Sequence, residues 1–335
     1  MESRLYLLNR FRAVNTCMQN FKATMAESGI IFGMSKRFAR MCLAAALNLW
    51  LNGVSWAHNN EDWMGRFDPQ TSLAGLSIPG THDTGARRER FPGTTKCQKL
   101  SLSAQLDAGV RYMDIRCHPQ NGRFAIYHGP VDQRLSFEQV LGDCGSFLNS
   151  HTNECVLMAV QEENAPPHED PHAFETIFYG YVLARPDQWY LQPSIPTLGQ
   201  ARGKIVLIRR FHTQHLPEGI DATAWMDNAK FLMNCGPAEI EIQDQYRVEN
   251  VRQKWGAVAD MLGEAADSHP EWLFINYTSG FKRGWFGLPR IRQVSRNINP
   301  LVVRYFEPGR KARFGIVAMD FATPALCSLI INSNP

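Results

Sequence analysis

The sequence lacks the closely spaced cysteines and histidines that mark a zinc domain. Its eight cysteines include no Cys-x-x-Cys pair, and no cluster of histidine and cysteine has the spacing of zinc ligands. Internal repeats, low-complexity segments and a linker that would divide the chain are also missing. These absences argue against zinc modules and repeat arrays.

The chain also carries little net charge. Lys and Arg number 35 against 32 Asp and Glu, which gives +3 at pH 7. Seven basic and two acidic residues fall within residues 1–57, so the rest of the chain holds 28 basic and 30 acidic residues. Because nucleic acid is bound by a concentrated positive field, we expect no nucleic-acid partner.

No apolar run is long enough for a confident membrane span. The apolar stretch of residues 41–57 is interrupted by Asn48 and Asn52. A basic stretch that begins at Met34 precedes this apolar stretch, and the apolar stretch ends in Ser55-Trp56-Ala57. A basic, then an apolar, then a small-residue segment is the order of a secretory signal peptide. An amphipathic N-terminal helix is the alternative interpretation.

We therefore expect residues 1–57 to be an N-terminal extension with a signal peptide, and the protein to be secreted or periplasmic. An even number of cysteines follows this segment. In an exported protein they can form disulfides, and buried thiols are the alternative. These six residues are Cys97, Cys117, Cys144, Cys155, Cys235 and Cys327.

Short apolar runs alternate with helical patterns after residue 60. Ser136 and Gln139 resemble a capping box that opens a helix to about Ser150, and residues 248–267 have helical spacing. This alternation predicts an α/β fold with a mainly parallel sheet, either open or closed into a barrel. The predicted strands are 73–78, 110–116, 123–128, 155–160, 204–209, 238–243, 272–276 and 314–319.

Polar residues follow the last apolar residue of nearly every predicted strand. In a barrel all these strand ends meet on one face, whereas an open sheet has one switch point, so the wide spread favours a barrel. Singly, each residue has a plain explanation as a turn, cap or ion-pair residue. The residues are His82, Asp83, Asp114, Arg116, His128, Gln161, Glu162, Glu163, Arg210, Asp244, Tyr246 and Asp320.

Together these side chains offer an acid, a base, orienting carboxylates and an anion clamp. Histidine titrates near neutral pH, so His82 and His128 can exchange the roles of base and acid. Arginine, as in Arg116, offers a permanent charge and a planar donor fork for phosphate oxygens.

The motifs SIPGTHDTG, MDIR with a following IYHG, ARGKIVLIRR, IQDQYRV, LFINYTSG and FGIVAMDF occur in this order. They resemble the bacterial, metal-independent phosphatidylinositol-specific phospholipases C of the X-domain family, over about residues 70–330. The resemblance implies a single distorted (β/α) TIM-like barrel, with residues 58–335 as the catalytic domain. It also implies an enzyme that releases diacylglycerol and inositol 1,2-cyclic phosphate from phosphatidylinositol or a glycosylated inositol lipid.

The resemblance implies a role for each residue of the catalytic set. His82 would be the general base, oriented by Asp320, and His128 would be the general acid, oriented by Asp83. Arg116 would stabilise charge on the phosphate, the work that a metal ion does in related enzymes. No cofactor is implied.

The resemblance also implies residues that bind the substrate. Asp114 would support the phosphate-binding arginine, Arg210 and Asp244 would bind inositol hydroxyls, and Tyr246 would offer its ring to the sugar. Family members often carry a lysine in the segment that corresponds to residues 158–163. This sequence has Gln161 and Glu162 there, which leaves the preferred headgroup open.

A membrane surface is the expected site of action, with an inositol phospholipid as a transient partner of a peripheral monomer. Residues 280–290 place Trp285 and Phe286 among basic residues and glycines. Indole prefers the headgroup zone and cations favour anionic lipid, so this loop is predicted to contact the membrane. A partly buried loop anchor is the alternative.

Two other functions stay open at this point. The first is a calcium- or magnesium-dependent phosphodiesterase on a similar barrel, with Asp83, Asp114 and Glu162 as ligands, although the nearby Arg116 opposes a cation. The second is a secreted barrel that binds inositol lipids without cleaving them.

Overall fold

The structure, a computed structural model, describes residues 60–163, 172–284 and 287–335. The predicted N-terminal extension and signal peptide, residues 1–57, lie outside the described residues and remain predictions. No helix within the described residues has the length and apolar character needed to cross a bilayer.

The described segments alternate between strands and helices. In chain order the strands are β1 (Ser77–Thr81), β2 (Tyr112–Gln120), β3 (Arg123–His128), β4 (Val131–Ser136), β5 (Val156–Glu162), β6 (Trp189–Tyr190), β7 (Ile205–Arg210), β8 (Ile220–Asp221), β9 (Lys230–Asn234), β10 (Glu239–Gln243), β11 (Leu273–Tyr277), β12 (Lys282–Arg283), β13 (Pro289–Arg290) and β14 (Gly315–Met319). The helices are α1 (Leu102–Asp107), α2 (Phe137–Ser150), α3 (Ala173–Ala184), α4 (Leu198–Ala201), α5 (Val251–Asp267), α6 (Ile291–Phe306) and α7 (Pro324–Ile331).

The main sheet curls so that its parallel strands follow the order of the chain. Strands β1, β2, β5 and β7 run in one direction around it, and β10, β11 and β14 complete it, with β14 pairing back onto β1. Among the described strands, no ladder joins β6 or β8, at the outer edge of β7, to β9, at the outer edge of β10. The predicted α/β fold with one distorted barrel is confirmed, and the distortion is this opening.

The parallel strands are buried on both faces, which explains why they read as continuous apolar runs. In β5, Leu157 and Ala159 join the larger hydrophobic cluster, which also contains residues of α5, α6 and α7. The alternate residue Met158 joins a second cluster with Leu141 of α2 and Phe178 of α3. Alternate residues of β5 thus belong to different clusters, and the Met158 face packs with α2 and α3.

Two helices were predicted with different success. The capping box at Ser136 and Gln139 forms, and α2 ends at Ser150 as expected. The helix predicted from residue 248 begins at Val251, because the Asn250 side chain caps it by accepting from the amide of Arg252. Val248 instead donates its amide to the carbonyl of Phe281.

The first strand was predicted too early, at residues 73–78. Leu73–Gly75 forms a 3₁₀ turn, and β1 runs on through Pro79 and Gly80 to Thr81. Pro79 has no amide proton to donate, but its carbonyl still accepts from the amide of Arg111. A Cβ at residue 80 would lie 2.9 Å from the Tyr112 ring, so only glycine fits this position. The turn that carries His82 and Asp83 therefore starts after Thr81.

The third predicted strand, residues 123–128, has the correct bounds but does not belong to the parallel barrel. It is β3, which pairs antiparallel with the last residues of β2, and β4 then pairs antiparallel with β3. Because β2 extends past its neighbours before the chain returns, His128 at the end of β3 comes back to the level of Arg116. The prediction that His128 follows a parallel strand was wrong, although its position on the same face was right.

The six cysteines of the described residues are all free and buried. The alternative of buried thiols therefore describes this structure, and the disulfides permitted by the sequence do not form in it.

Candidate active site

A cavity of about 360 Å³ lies at the carboxyl ends of the parallel strands. A larger surface cavity, of about 600 Å³ beside α2, has no histidine in its lining and offers no acid-base pair. The smaller cavity is lined by His82, Arg116, His128, Gln161, Arg210, Trp225, Met226, Asp227, Asp244, Tyr246, Gly280, Phe281 and Ile291. Three other predicted site residues, Asp83, Asp114 and Asp320, are buried.

His82 follows β1 directly and is held by the last strand of the barrel. Its amide donates to the carbonyl of Met319, and its Nδ1 lies 2.8 Å from Oδ1 of the buried Asp320. With the Nδ1 proton donated to this carboxylate, Nε2 is left to accept from Nη2 of Arg116, at 3.0 Å. Burial lowers the pKa of His82, but the charge and hydrogen bond of Asp320 outweigh it, so the pKa lies above its ordinary value.

Asp83 and His128 form a looser pair. The backbone of Asp83 has a φ of +44°, a left-handed conformation that aspartate tolerates better than most residues. Its Oδ2 lies 3.4 Å from Nδ1 of His128, but that nitrogen makes its 2.7 Å hydrogen bond with the carbonyl of Thr95. Both Asp83 oxygens are buried without a hydrogen-bond partner. Burial raises the pKa of Asp83, although His128 and Arg116 oppose the shift.

Arg116 lies between the two histidine–carboxylate pairs. Its Nη2 is 3.3 Å from Oδ2 of Asp114, and its Nε is 3.5 Å from Oδ2 of Asp83. Burial alone would raise the pKa of Asp114, but Arg116 and His82 lower it below its ordinary value, so the carboxylate stays charged. The ring centroids of His82 and His128 are 6.4 Å apart. A phosphate between the rings would therefore meet a fixed cation.

The other wall of the cavity carries the residues predicted to bind the sugar. The Arg210 guanidinium lies 3.8 Å from the centroid of the Trp225 ring, and Nε1 of Trp225 donates to Oδ2 of Asp244 at 3.0 Å. Tyr246 donates its hydroxyl to Asp227 and packs its ring near Phe281. The geometry thus brings these three predicted residues to one cavity and adds Trp225 as a support shared by Arg210 and Asp244.

The segment where the family often has lysine ends beside Arg116. Gln161 is the ladder neighbour of Arg116 on one side and Arg210 on the other, and it lines the cavity. Glu163 accepts from the amide of Gly129 at 2.7 Å and lies 3.7 Å from Nη1 of Arg116. This part of the cavity therefore presents an amide between two guanidinium groups.

The predicted membrane contacts, Trp285 and Phe286, lie outside the described residues. On either side of them, the exposed residues Lys282 and Arg283 pair as a short ribbon with Pro289 and Arg290.

Three functional neighbours were missed from the sequence. Thr95 contributes only a backbone carbonyl, and no side-chain pattern can predict that contact. Trp225 lies in a segment without regular structure, between β8 and β9. Tyr277 ends β11, packs edge-on to His82 at 6.0 Å between centroids, and shares a 2.7 Å hydrogen bond with Tyr112. Its place at the end of a predicted strand was a usable signal.

The calcium or magnesium ligands of the alternative function do not converge among the described residues. Among the described residues, two groups bring at least three potential ligand atoms within 4.8 Å of one another, namely His82 with Cys97 and Asp320, and Asp83 with Cys97 and His128. Neither is the oxygen-rich set of Asp83, Asp114 and Glu162 that hard cations require. Asp114 is instead bound to Arg116.

Comparison with known proteins gives one family. Residues 76–211 match the family model "Phosphatidylinositol-specific phospholipase C, X domain". The 1-phosphatidylinositol phosphodiesterase of Staphylococcus aureus strain Newman is 28% identical over 283 residues, which cover 80% of this chain and 90% of that protein. The Listeria monocytogenes protein of the same name is 28% identical over 302 residues, which cover 87% and 90%.

Solved structures agree with these sequence matches. One phosphatidylinositol-specific phospholipase C from S. aureus, solved in work on modulation of its membrane binding, aligns with a TM-score of 0.73 at 25% identity and covers 82% of this chain and 98% of its own. The corresponding enzyme from L. monocytogenes aligns with a TM-score of 0.65 at 26% identity and covers 82% and 99%.

Proposed function

We propose that this chain, which belongs to the phosphatidylinositol-specific phospholipase C X-domain family, cleaves phosphatidylinositol into diacylglycerol and inositol 1,2-cyclic phosphate. The observation that carries the proposal is the joint position of His82 and His128. Each histidine has a carboxylate at its Nδ1 side, both line one cavity, and Arg116 lies between them.

His82 is the general base in this proposal. Its Nδ1 is held by Asp320, so Nε2 removes the proton from the inositol 2-hydroxyl while the oxygen attacks phosphorus. The nucleophile and phosphorus belong to one molecule, so little entropy is lost in bringing them together. Arg116 now donates to Nε2, and a phosphate that draws the guanidinium away would free this nitrogen for the hydroxyl.

His128 is the general acid. Its Nδ1 is held by the carbonyl of Thr95 and lies near Asp83, which leaves Nε2 to donate a proton. That proton goes to the diacylglycerol oxygen as its bond to phosphorus breaks. The charge that develops on the remaining phosphate oxygens is stabilised by Arg116, whose own position is fixed by Asp114 and Asp83.

We propose that the reaction needs no metal ion. Arg116 supplies a permanent cation in the place where the phosphate charge develops, and its neighbouring carboxylates are engaged with it. The carboxylates near it do not form an oxygen-rich ligand set among the described residues.

The headgroup binds through the wall formed by Arg210, Trp225, Asp244 and Tyr246. The charged groups of Arg210 and Asp244 suit hydroxyls on one edge of the inositol ring, and the Tyr246 ring suits its apolar face. Gln161 supplies an amide rather than an ammonium beside this wall. Free phosphatidylinositol and a glycosylated inositol lipid both remain candidate substrates.

We propose that the chain acts as an exported, peripheral monomer at a membrane surface. The signal-like order within residues 1–57 supports export, and Trp285 and Phe286 with their basic neighbours support contact with anionic lipid. A Trp285→Ala variant would then bind vesicles less well, with a smaller effect on cleavage of a soluble substrate.

The test is incubation with a panel of lipid vesicles in EDTA, followed by phosphorus NMR of the products. We expect a cyclic phosphodiester signal from inositol lipids, and loss of that signal in His82→Ala and His128→Ala variants with unchanged circular dichroism. Turnover that stops in EDTA and returns with calcium or magnesium would overturn the metal-independent mechanism. Vesicle binding without any product would instead indicate a non-catalytic lipid-binding protein.

A further inference from the structure

The Cys97 thiol lies within 4.8 Å of ligand atoms of both histidine–carboxylate pairs, and Cys97 does not line the cavity. Its side chain is fully buried, and its Sγ is 3.7 Å from Nδ1 of His128. Its amide donates to the carbonyl of Ala86, and its carbonyl accepts from the amide of Phe321. The thiol is therefore held in place, yet no step of the proposed reaction uses it.

Two of the three separations among Asp83, Cys97 and His128 match those of ligands around one tetrahedral ion. Zinc–ligand bonds of about 2.3 Å to sulfur and about 2.1 Å to nitrogen or oxygen would separate sulfur from nitrogen by about 3.6 Å, and nitrogen from oxygen by about 3.4 Å. The corresponding distances are 3.7 Å from Cys97 Sγ to His128 Nδ1 and 3.4 Å from His128 Nδ1 to Asp83 Oδ2. All three atoms lie within 4.8 Å of one another.

Asp83 gives an independent reason to place a ligand here. Its side chain is fully buried, and neither carboxylate oxygen has a hydrogen-bond partner. The nearest cationic groups, on His128 and Arg116, lie 3.4 and 3.5 Å from Oδ2 without a hydrogen bond, so a directly bound ion would further offset the cost of burying this carboxylate. The alternative group of His82, Cys97 and Asp320 is less suited, because a 2.8 Å hydrogen bond already joins the histidine to its carboxylate.

We propose that Zn²⁺ binds Asp83, Cys97 and His128 and reversibly inhibits the enzyme. The mixed sulfur, nitrogen and oxygen set is typical of zinc, whereas calcium and magnesium need more oxygen ligands than this group offers. Of the three ligands only His128 lines the cavity, and Asp83 and Cys97 are buried, so in this proposal the ion enters past the His128 ring.

Binding requires two proton movements. Burial, Asp320 and Asp83 raise the pKa of Cys97 well above its ordinary value, so zinc must displace the thiol proton into solvent as the sulfur–zinc bond forms. The Nδ1 proton of the His128 imidazolium is also released to solvent, which ends its hydrogen bond to Thr95 and leaves a neutral imidazole with its remaining proton on Nε2. A metal-bound imidazole cannot return to the imidazolium form, so the general acid is blocked.

The local charges make zinc an inhibitor rather than a permanent component. One thiolate and one carboxylate balance the charge of the ion, but Nε of Arg116 lies 3.5 Å from Oδ2 of Asp83 and repels it. We therefore expect a chelator to remove the ion and restore activity.

The effect on turnover rests on the proposed function, but metal binding does not, so two measurements separate them. Full-length protein is stripped with EDTA, dialysed and titrated with Co²⁺ as a spectroscopic probe. We expect a thiolate-to-cobalt charge-transfer band that saturates at one ion per chain and that added Zn²⁺ abolishes. Absence of the band overturns the site, whatever the result of the lipid assay.

The second measurement is inhibition of lipid cleavage by ZnCl₂, with MgCl₂ as the ionic control. Cys97→Ser should keep the basal activity and raise the half-inhibitory zinc concentration by at least about tenfold, since even loss of an outer partner of a metal ligand commonly costs that much. Cys235→Ser, which changes a buried thiol between β9 and β10, should keep the sensitivity of the unmodified protein. Equal zinc sensitivity of Cys97→Ser and Cys235→Ser overturns the proposal.

The cobalt band also distinguishes the two carboxylates. Asp83→Asn should weaken Co²⁺ binding, whereas Asp320→Asn should leave the band in place. The opposite order would transfer the site to His82 and overturn the assignment made above.

Discussion

The carboxylate of Asp83 lies 3.4 Å from Nδ1 of His128, yet the hydrogen bond of that nitrogen goes to the carbonyl of Thr95. His82 differs, because its Nδ1 is bonded directly to Asp320 at 2.8 Å. The proposed base is thus oriented by a charged partner, whereas the proposed acid is oriented chiefly by a neutral backbone group.

This difference predicts unequal effects of removing the two carboxylates. Asp320→Asn should lower kcat by roughly 10³- to 10⁴-fold, since loss of the orienting carboxylate leaves the histidine in the wrong tautomer. The decrease in kcat for Asp83→Asn should be at least about tenfold smaller, because the Thr95 carbonyl still orients His128. Steady-state kinetics on both variants measure this order, and a larger loss for Asp83→Asn would contradict it.

The pH dependence should report the environment of His82. This base acts only when neutral, and Asp320 outweighs burial to raise its pKa. For the free enzyme, kcat/KM should therefore fall as the pH drops through a value above the ordinary pKa of about 6.5.

Asp320→Asn removes the charge that favours the imidazolium, so the acidic limb of its residual activity should move to lower pH. Thr278→Ser, a conservative change to a buried hydroxyl that bonds to the Ala318 carbonyl, serves as a control and should leave the limb unchanged. An acidic limb that is identical in Asp320→Asn and the unmodified protein would show that another group controls it.

Arg116 should not be replaceable by lysine. Lysine keeps the charge but loses the planar fork that contacts Asp114, Asp83 and the phosphate, so we expect kcat to fall by about 10²- to 10³-fold. The activity of Arg116→Lys in EDTA and in added Mg²⁺ checks the result. Near-normal turnover of this variant would contradict the role of the guanidinium.

Trp225 should influence binding more than chemistry. Its ring supports Arg210 and its Nε1 donates to Asp244, so Trp225→Ala should raise KM about tenfold or more with a smaller change in kcat. Trp225→Phe keeps an aromatic ring but loses the Nε1 donor and part of the ring area, so its KM should lie between those of the unmodified protein and Trp225→Ala. Trp272→Phe, which alters a ring stacked on His269, is the matched control. A loss confined to kcat would contradict this role.

The amino ends of the parallel strands, which lie opposite the cavity, should affect stability rather than activity. Arg111 and Glu154 are fully buried, and their side chains are joined at 2.8 Å. Glu154→Gln leaves the arginine charge without its partner and should lower the free energy of unfolding by about 3–5 kcal/mol. Urea denaturation measures the loss, and kcat of the folded fraction should not change.

Most of the fold could be predicted because buried parallel strands appear in the sequence as continuous apolar runs. The runs at 155–160, 204–209, 238–243, 272–276 and 314–319 each match a strand within two residues at either end. The hairpin of β3 and β4 could not be placed, because antiparallel pairing beyond the barrel rim depends on contacts distant from the run itself. Pro79 also obscured β1, since proline usually ends a strand.

The candidate site was predictable where a side chain follows a strand. His82, Arg116, Arg210 and Asp244 are of this kind, and all line the cavity. Contacts made by loops gave no such signal. The 2.7 Å bond of His128 to the Thr95 carbonyl and the position of Cys97 depend on how the segment between β1 and α1 folds back over the strand ends.

The two histidines lie on different parts of the fold, because His128 belongs to the hairpin of β3 and β4 whereas His82 follows a strand of the barrel. The base follows a strand whose partners, β14 and β2, are fixed by the parallel ladder, while the acid is carried by a ribbon that projects from the end of β2. Residues can be inserted into or removed from this ribbon without shifting any parallel pair. The reach toward a leaving group can therefore be retuned during evolution while the scaffold of the base stays unchanged.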